Sequence, residues 1–276
     1  MGGAVTSVRA ALVTHHHKGE TIGPVLASWG WVLETIDADT DRLGTFSGDV
    51  ARPADPVETA RRKARLGRDR TDAPWFVASE GAVSAGLLGL ARDVEWVVAV
   101  PRDGEGVVVG VAQSLDVAAF SLEVGPGTPD HEIAERVSAG LEGGHHLIAL
   151  RHDHREPSRG ALASVEDVVR ACAGLGVESA RRVQTDYRAH LCPSRRPVIA
   201  AAAADLAVRW ATPCPHCGRG GFGPGGPLSG RPCASCGTPT AEPLGRWWVC
   251  PWCARREARV DNPSPVSAAA CPVCNP

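Results

Sequence analysis

Eight of the ten cysteines in this 276-residue chain stand in four C-x-x-C pairs: "CPHC" at 214–217, "CASC" at 233–236, "CPWC" at 250–253 and "CPVC" at 271–274. A C-x-x-C turn aims two thiolates at one tetrahedral ion, and two turns complete a four-cysteine zinc site. Four turns therefore predict two structural Zn2+ ions held by Cys214, Cys217, Cys233, Cys236, Cys250, Cys253, Cys271 and Cys274. Disulfides are the competing use of so many thiols, and they belong to oxidising compartments. The N-terminus "MGGAVTSVRAALVT" lacks the charged, long-apolar and small-residue order of a signal peptide. A cytoplasmic chain with reduced thiols and bound zinc is the expectation.

Segment 212–276 needs the metal. Its large apolar residues are few, and its glycine and proline content is high. So small a core does not offset the ordering entropy, whereas zinc binding supplies on the order of 10 kcal/mol or more per site. Two pairings of the turns suit the spacing. "CASCGTPTAEPLGRWWVCPWC" reads like a ribbon hairpin that joins the second turn to the third, with the outer two meeting around it. Sequential pairing, first with second and third with fourth, is the other. Six arginines and three acids lie between 212 and 276, and two four-thiolate zinc sites of charge −2 each bring the net to −1. Only "ARREAR" (254–259) offers the clustered positive charge that phosphate binding needs. The tail is therefore a candidate docking surface for a protein partner or, less directly, for nucleic acid.

The first 210 residues alternate apolar runs with amphipathic segments. "VRAALVT" (8–14), "WVLETID" (31–37), "PWFVASEG" (74–81), "EWVVAV" (95–100), "GVVVGVAQS" (106–114), "HHLIALR" (145–151) and "VESARRVQTD" (177–186) read as strands. "KGETIGPVLASW" (18–29), "PVETARRKARLG" (56–67), a segment capped by Thr128, "SVEDVVRACAGLG" (164–176) and "PVIAAAAADLAVRW" (197–210) read as helices. This alternation predicts an α/β domain over 1–211, a mixed sheet flanked by helices, followed by a double zinc ribbon over 212–276. No apolar run approaches the roughly 18 residues that a membrane span needs.

Lysine usage points to a site. Of 29 basic residues only Lys18 and Lys63 are lysines. Where arginine has replaced nearly every lysine, those retained are the likelier to need a compact ammonium. Lys18 closes the stretch "VTHHHKG", where the first strand turns into a helix. Such turns present backbone N–H groups and a helix dipole to anions.

The order "VTHHHKG", "ETARRKA" (58–64), "VASEGAV" and "PSRRPV" resembles the motif order of the inosine-triphosphate pyrophosphatase-like fold. That resemblance spans about residues 8–210 and implies a Mg2+-dependent nucleotide or phosphoester hydrolase. Carried over by position, Lys18 and Lys63 face phosphates, Glu58 holds Mg2+, and Glu80 binds the metal or orients the attacking water. Thr14, His17 and Thr59 border the substrate. The chain departs from the pattern where His17 stands in place of an asparagine, Glu20 in place of a second lysine, and Ser79 in place of an acid. These changes remove one metal ligand, for which Asp39 or Asp41 could compensate, and set a negative charge beside the phosphates. A non-catalytic nucleotide- or RNA-binding domain is the alternative. Over nearly its full length the chain also resembles a bacterial protein family of unknown function, through the "DTDRLGTFSGD" loop, "ASEG", "TDYRAHLCPSRRPVIA" and the cysteine-rich tail.

Other polar clusters follow strands. Asp186, Arg188, His190, Arg195 and Arg196, near the chain's single tyrosine, suit phosphate or base contacts. "RHDHRE" (151–156) reads as a solvated loop. Cys172 and Cys192 read as a core thiol and a loop thiol, with a nucleophilic Cys192 beside His190 as a minor alternative. The three adjacent histidines point different ways, so one of them could bind a metal but not all three, and loss of His15 is expected to cost little.

Overall fold

Strand β1 (Val8–Thr14) carries a continuous apolar run, and Ala10 to Val13 are all buried, as in a strand covered on both faces. The computed structural model describes residues 7–15, 17–44, 50, 54–85, 91–153 and 158–276. His16, parts of the 38–55 loop, and His154, Arg155 and Glu156 of the "RHDHRE" loop lie outside the described residues. After β1 the chain turns through His17, whose φ of 53° is left-handed, a region where histidine is enriched among non-glycine residues. It then enters α1 (Gly19–Ala27), which holds Pro24 within it. Strand β2 (Trp31–Asp37) pairs parallel with β1 from Val8↔Trp31 to Thr14↔Asp37, so the two strands end together.

Helix α2 (Pro56–Arg65) starts where the sequence says it should. Asp55 caps it, its carboxylate accepting the N–H of Val57 and of Glu58 at 3.0 Å each, and Pro56 takes the first helical position. Strand β3 (Trp75–Ala85) runs parallel to β1 and antiparallel to β4 (Ala91–Pro101), and β5 (Val108–Ser114) completes a mixed sheet in the order β2-β1-β3-β4-β5.

The alternating pattern leads one to expect a single sheet; the structure has two in this region. The second is antiparallel, in the order β6-β9-β7-β8, from β6 (Ser121–Val124), β7 (Leu147–Arg151), β8 (Arg159–Leu162) and β9 (Arg181–Thr185). β6 and β8 are four residues each, too short for a period-2 signal to show. Helices α3 (Asp130–Val137) and α4 (Val165–Gly174) share a core with this sheet, including Leu122, Ile133, Leu147, Val168 and Val183. Thr128 is not the cap of α3. Pro129 occupies that position, and the Thr128 hydroxyl donates to Gly125 O at 3.0 Å instead. Ser164 does cap α4, accepting the Asp167 N–H. Helix α5 (Arg196–Ala211) closes the α/β region.

Contacts divide the chain into two units, Met1–Glu105 with Val109–Ala207, and Gly106–Val108 with Val208–Pro276. The second is built on an antiparallel sheet of β10 (Gly223–Ser229), β11 (Pro243–Val249) and β12 (Arg256–Val260). Its small core joins Phe222, Trp248 and Trp252 to the cysteines. No helix among the described residues is long and apolar enough to cross a membrane.

Candidate functional site

The four C-x-x-C turns share one backbone geometry. In each, the amide two residues after the first cysteine donates to that cysteine's sulfur at 3.4 Å (His216, Ser235, Trp252 and Val273). The residue after the second cysteine donates to the first cysteine's carbonyl, from Gly218, Gly237, Ala254 and Asn275. Three of these last residues have positive φ: 71° at Gly218, 73° at Gly237 and 57° at Ala254. The turns thus point eight thiols into two clusters.

The clusters are Cys214, Cys217, Cys250 and Cys253, and Cys233, Cys236, Cys271 and Cys274. First pairs with third and second with fourth, so both arrangements expected from the spacing are wrong. The reason is the hairpin. Gly223↔Val249 and Ser229↔Pro243 put the chain after the first turn beside the chain before the third, while the second turn lies beyond the other end of β10. β12 then runs back along β11, and a parallel bridge of Cys233 to Val266 sets the fourth turn beside the second. Sulfur separations between turns are 3.6 Å and 3.8 Å in one cluster and 3.7 Å and 3.9 Å in the other. Zinc–sulfur bonds of about 2.3 Å in a tetrahedron give edges of about 3.8 Å, so the donor sets fit Zn2+.

Guanidinium groups cover the tryptophans of this sheet. Arg256 lies 4.7 Å over the Trp247 ring and Arg259 lies 3.4 Å over Trp248, while Arg259 also pairs with Glu257 at 3.1 Å. The "ARREAR" charge is partly spent on its own neighbours.

In the α/β unit a pocket opens at the carboxyl end of β1 and beside the middle of β3, lined in part by Thr14, His15, Lys18, Lys63, Glu80 and Arg188. Both lysines of the chain therefore meet in one place, 45 residues apart in sequence. Lys63, on α2, donates to Glu80 Oε2 at 2.5 Å. Lys18 Nζ lies 3.5 Å from Glu95 Oε2, and burial pushes its pKa down, with Glu95 opposing. Beneath them Arg195, fully buried, pairs with Glu95 and, at 3.4 Å, with Asp93. Asp93 Oδ1 accepts no hydrogen bond among the described residues. Burial raises the Asp93 pKa to about 6, against the pull of Arg195.

Two glycines make room for these charges. A Cβ on Gly81 would fall 2.6 Å from Glu95 Oε2, and closer still to Arg195 Nη2. A Cβ on Gly160 would lie 2.7 Å from Asp186 Oδ2. Asp186 itself is buried and accepts the Ala161 N–H at 3.0 Å and the Arg188 guanidinium at 2.5 Å.

Not every expected residue reaches the pocket. Glu58 turns to Arg61 and Arg62 at 2.5 Å and 2.9 Å, which hold its carboxyl down at about 2, and it is not among the lining residues. Thr59 is buried, its hydroxyl donating to Ala54 O. His17 pairs with Glu20 at 3.3 Å and its ring lies 5.7 Å from that of His190. Arg196 donates to His190 O. Of "RHDHRE", Arg151 pairs with Asp153 and His152 with Glu123, both away from the pocket lining. Cys192 is buried, and burial pushes its thiol pKa up, which removes the nucleophile alternative.

The residue that sequence reasoning set aside is His15. It lines the pocket, and its Nδ1 lies 3.0 Å from Asp37 Oδ1. The hydrogen bond to Asp37 raises its pKa most; burial opposes this, and the charges of Asp37, Asp41 and Asp39 add to the rise. The signal was the equal length of "VRAALVT" and "WVLETID", which in parallel register sets the residue after one beside the last residue of the other.

A model of the family described as domain of unknown function DUF6671 matches residues 131–276. The chain belongs to this family. No curated protein and no solved structure matches it. The DUF6671 match takes in Asp186, Arg188, Arg195 and all eight paired cysteines, and leaves β1 to β5 and both lysines outside it. The pyrophosphatase-like resemblance rests on its motifs alone.

Proposed function

We propose that the α/β unit binds a nucleotide or related phosphoester in the two-lysine pocket, and that the zinc-bearing unit is a docking module. Convergence of the only two lysines on one pocket carries this reading. Lysine has three N–H donors and arginine five. Glu80 engages one donor of Lys63, and Asp186 engages the Nε side of Arg188, so both cations retain capacity for phosphate oxygens. The first turn of α1 adds its backbone dipole at the same edge.

Mg2+ at this pocket, implied by the resemblance, fits the donors poorly. Glu80 is held by Lys63, Glu95 by Arg195 and Lys18, and Asp186 by Arg188. The groups of three or more His, Cys, Asp or Glu able to share an ion among the described residues are the cysteine clusters. Each of these carboxylates is already paired with a lysine or an arginine.

For the tail, guanidinium groups stacked over Trp247 and Trp248 occupy ring faces that bases would need. A protein surface is the better-supported partner.

Calorimetric titration of the zinc-loaded chain with ATP, GTP and inorganic pyrophosphate tests the pocket. Saturable binding is expected without Mg2+, weakened about 10- to 150-fold in Lys18→Ala and in Lys63→Ala, the scale of one charged hydrogen bond. Absence of binding by all three, or wild-type affinity in both variants, refutes it.

A further inference from the structure

We propose that His15, positioned by Asp37, is the general base of a metal-independent hydrolysis of phosphoanhydrides in this pocket. The proposal rests on the phosphoester reading above and adds chemistry to it.

The first ground is placement. β1 and β2 end in register at Thr14↔Asp37, so His15, one residue further, stands at the carboxyl edge where ligands of parallel strands sit. It shares the pocket wall with Lys18, Lys63, Asp41 and Arg188.

The second ground is the tautomer. An ionised carboxylate only accepts, so the 3.0 Å contact from Nδ1 to Asp37 Oδ1 places the ring hydrogen on Nδ1. In neutral His15 the basic lone pair is then on Nε2. Asp37 fixes ring and tautomer and stabilises the imidazolium that forms, the role a carboxylate takes behind a catalytic histidine. Charged groups around the imidazole come from each neighbouring element: Asp37 on β2, Asp39 and Asp41 after it, Lys18 at the head of α1, Lys63 on α2, Glu80 on β3 and Arg188 after β9.

The third ground is charge. His15 Nε2 takes a proton from water as the water oxygen bonds to the terminal phosphorus. The bridging P–O bond breaks, and its electron pair leaves with the departing phosphate. That leaving group departs as an anion, so it needs no proton donor; the ammonium groups of Lys18 and Lys63 and the Arg188 fork meet its charge. The imidazolium then returns its proton to solvent. An alkyl phosphomonoester would require a proton on the leaving oxygen, which selects anhydrides such as nucleoside triphosphates and pyrophosphate.

Phosphate release from ATP and from pyrophosphate, by the full zinc-loaded chain with no other divalent ion added, tests this. Turnover is expected, with Mg2+ changing it little. His15→Gln lowers kcat by about 100- to 10,000-fold, while binding of a non-hydrolysable methylene analogue of ATP stays within about twofold. Asp37→Asn removes the group that raises the His15 pKa, so the acidic limb of the pH–rate profile moves to lower pH. Binding without turnover, turnover strictly dependent on Mg2+, or full activity in His15→Gln overturns the dyad and leaves the binding reading standing. Absence of binding overturns both.

Discussion

Buried charge in the α/β unit is tolerated because opposite charge lies beside it, and Asp93 is where that balance is least complete. One of its oxygens has no hydrogen bond among the described residues, and its pKa stands near 6 rather than near 4. The sign follows from the folded state binding the proton more tightly than the unfolded chain. The stabilisation is fully present below about pH 4 and is lost as pH rises through 6. Asp93→Asn, a mimic of the protonated acid, therefore gains on the wild type between pH 4.5 and 7.5, by about 2 kcal/mol. Urea unfolding of the α/β unit at both pH values reads the difference, and a gap that does not change with pH contradicts the assignment. Glu58 titrates the other way: Arg61 and Arg62 hold its carboxyl near 2. Its stabilisation is present above the ordinary carboxylate range and lost as pH falls toward 2.

Elements with local causes were legible and elements with distant causes were not. Helix α2 was readable from Pro56 at its start and Gly67 just past its end, because helix termini are decided within a few residues. β1 and β2 were readable as apolar or alternating runs. By contrast, β6 is held by β9, from Ser121↔Gln184 to Val124↔Arg181, far along the chain; β8 pairs with the nearby β7 but is too short to carry a pattern of its own. The pocket was half legible. Its lysines, Thr14 and Glu80 stood out by type and order, yet Glu58 was drawn away by arginines one turn along its own helix, and His15 was placed by a strand register. The cysteine turns were legible singly, whereas their pairing depended on the β10–β11 hairpin. That pairing yields a direct expectation. Cys217→Ser with Cys253→Ser should lose one zinc per chain, the same as either alone, whereas Cys217→Ser with Cys236→Ser should lose two. Elemental analysis of the purified variants decides it, and one zinc retained in the second double variant refutes the interleaved scheme.

At the scale of the molecule, the two units depend on different forces. The α/β unit buries an extensive apolar core, while the cysteine-bearing unit has Phe222 and a few tryptophans around its thiols. Chelation of a chain carrying two zinc ions should therefore abolish protected amides over 208–276 and leave those of β1, β3 and β4 protected, as hydrogen exchange would record. Loss of protection in both, or in neither, contradicts this division. The interleaved clusters carry a further consequence, for biosynthesis. As the polypeptide is made from its N-terminus, Cys214, Cys217, Cys233 and Cys236 exist together before Cys250 has been added. Four thiols are enough to capture zinc, so an ion bound at that stage would be held by the wrong combination of turns. It would then have to pass from one pair of thiols to another as the hairpin closes. For such a chain, ligand exchange at the metal would stand between the first capture of zinc and the final pairing of the turns.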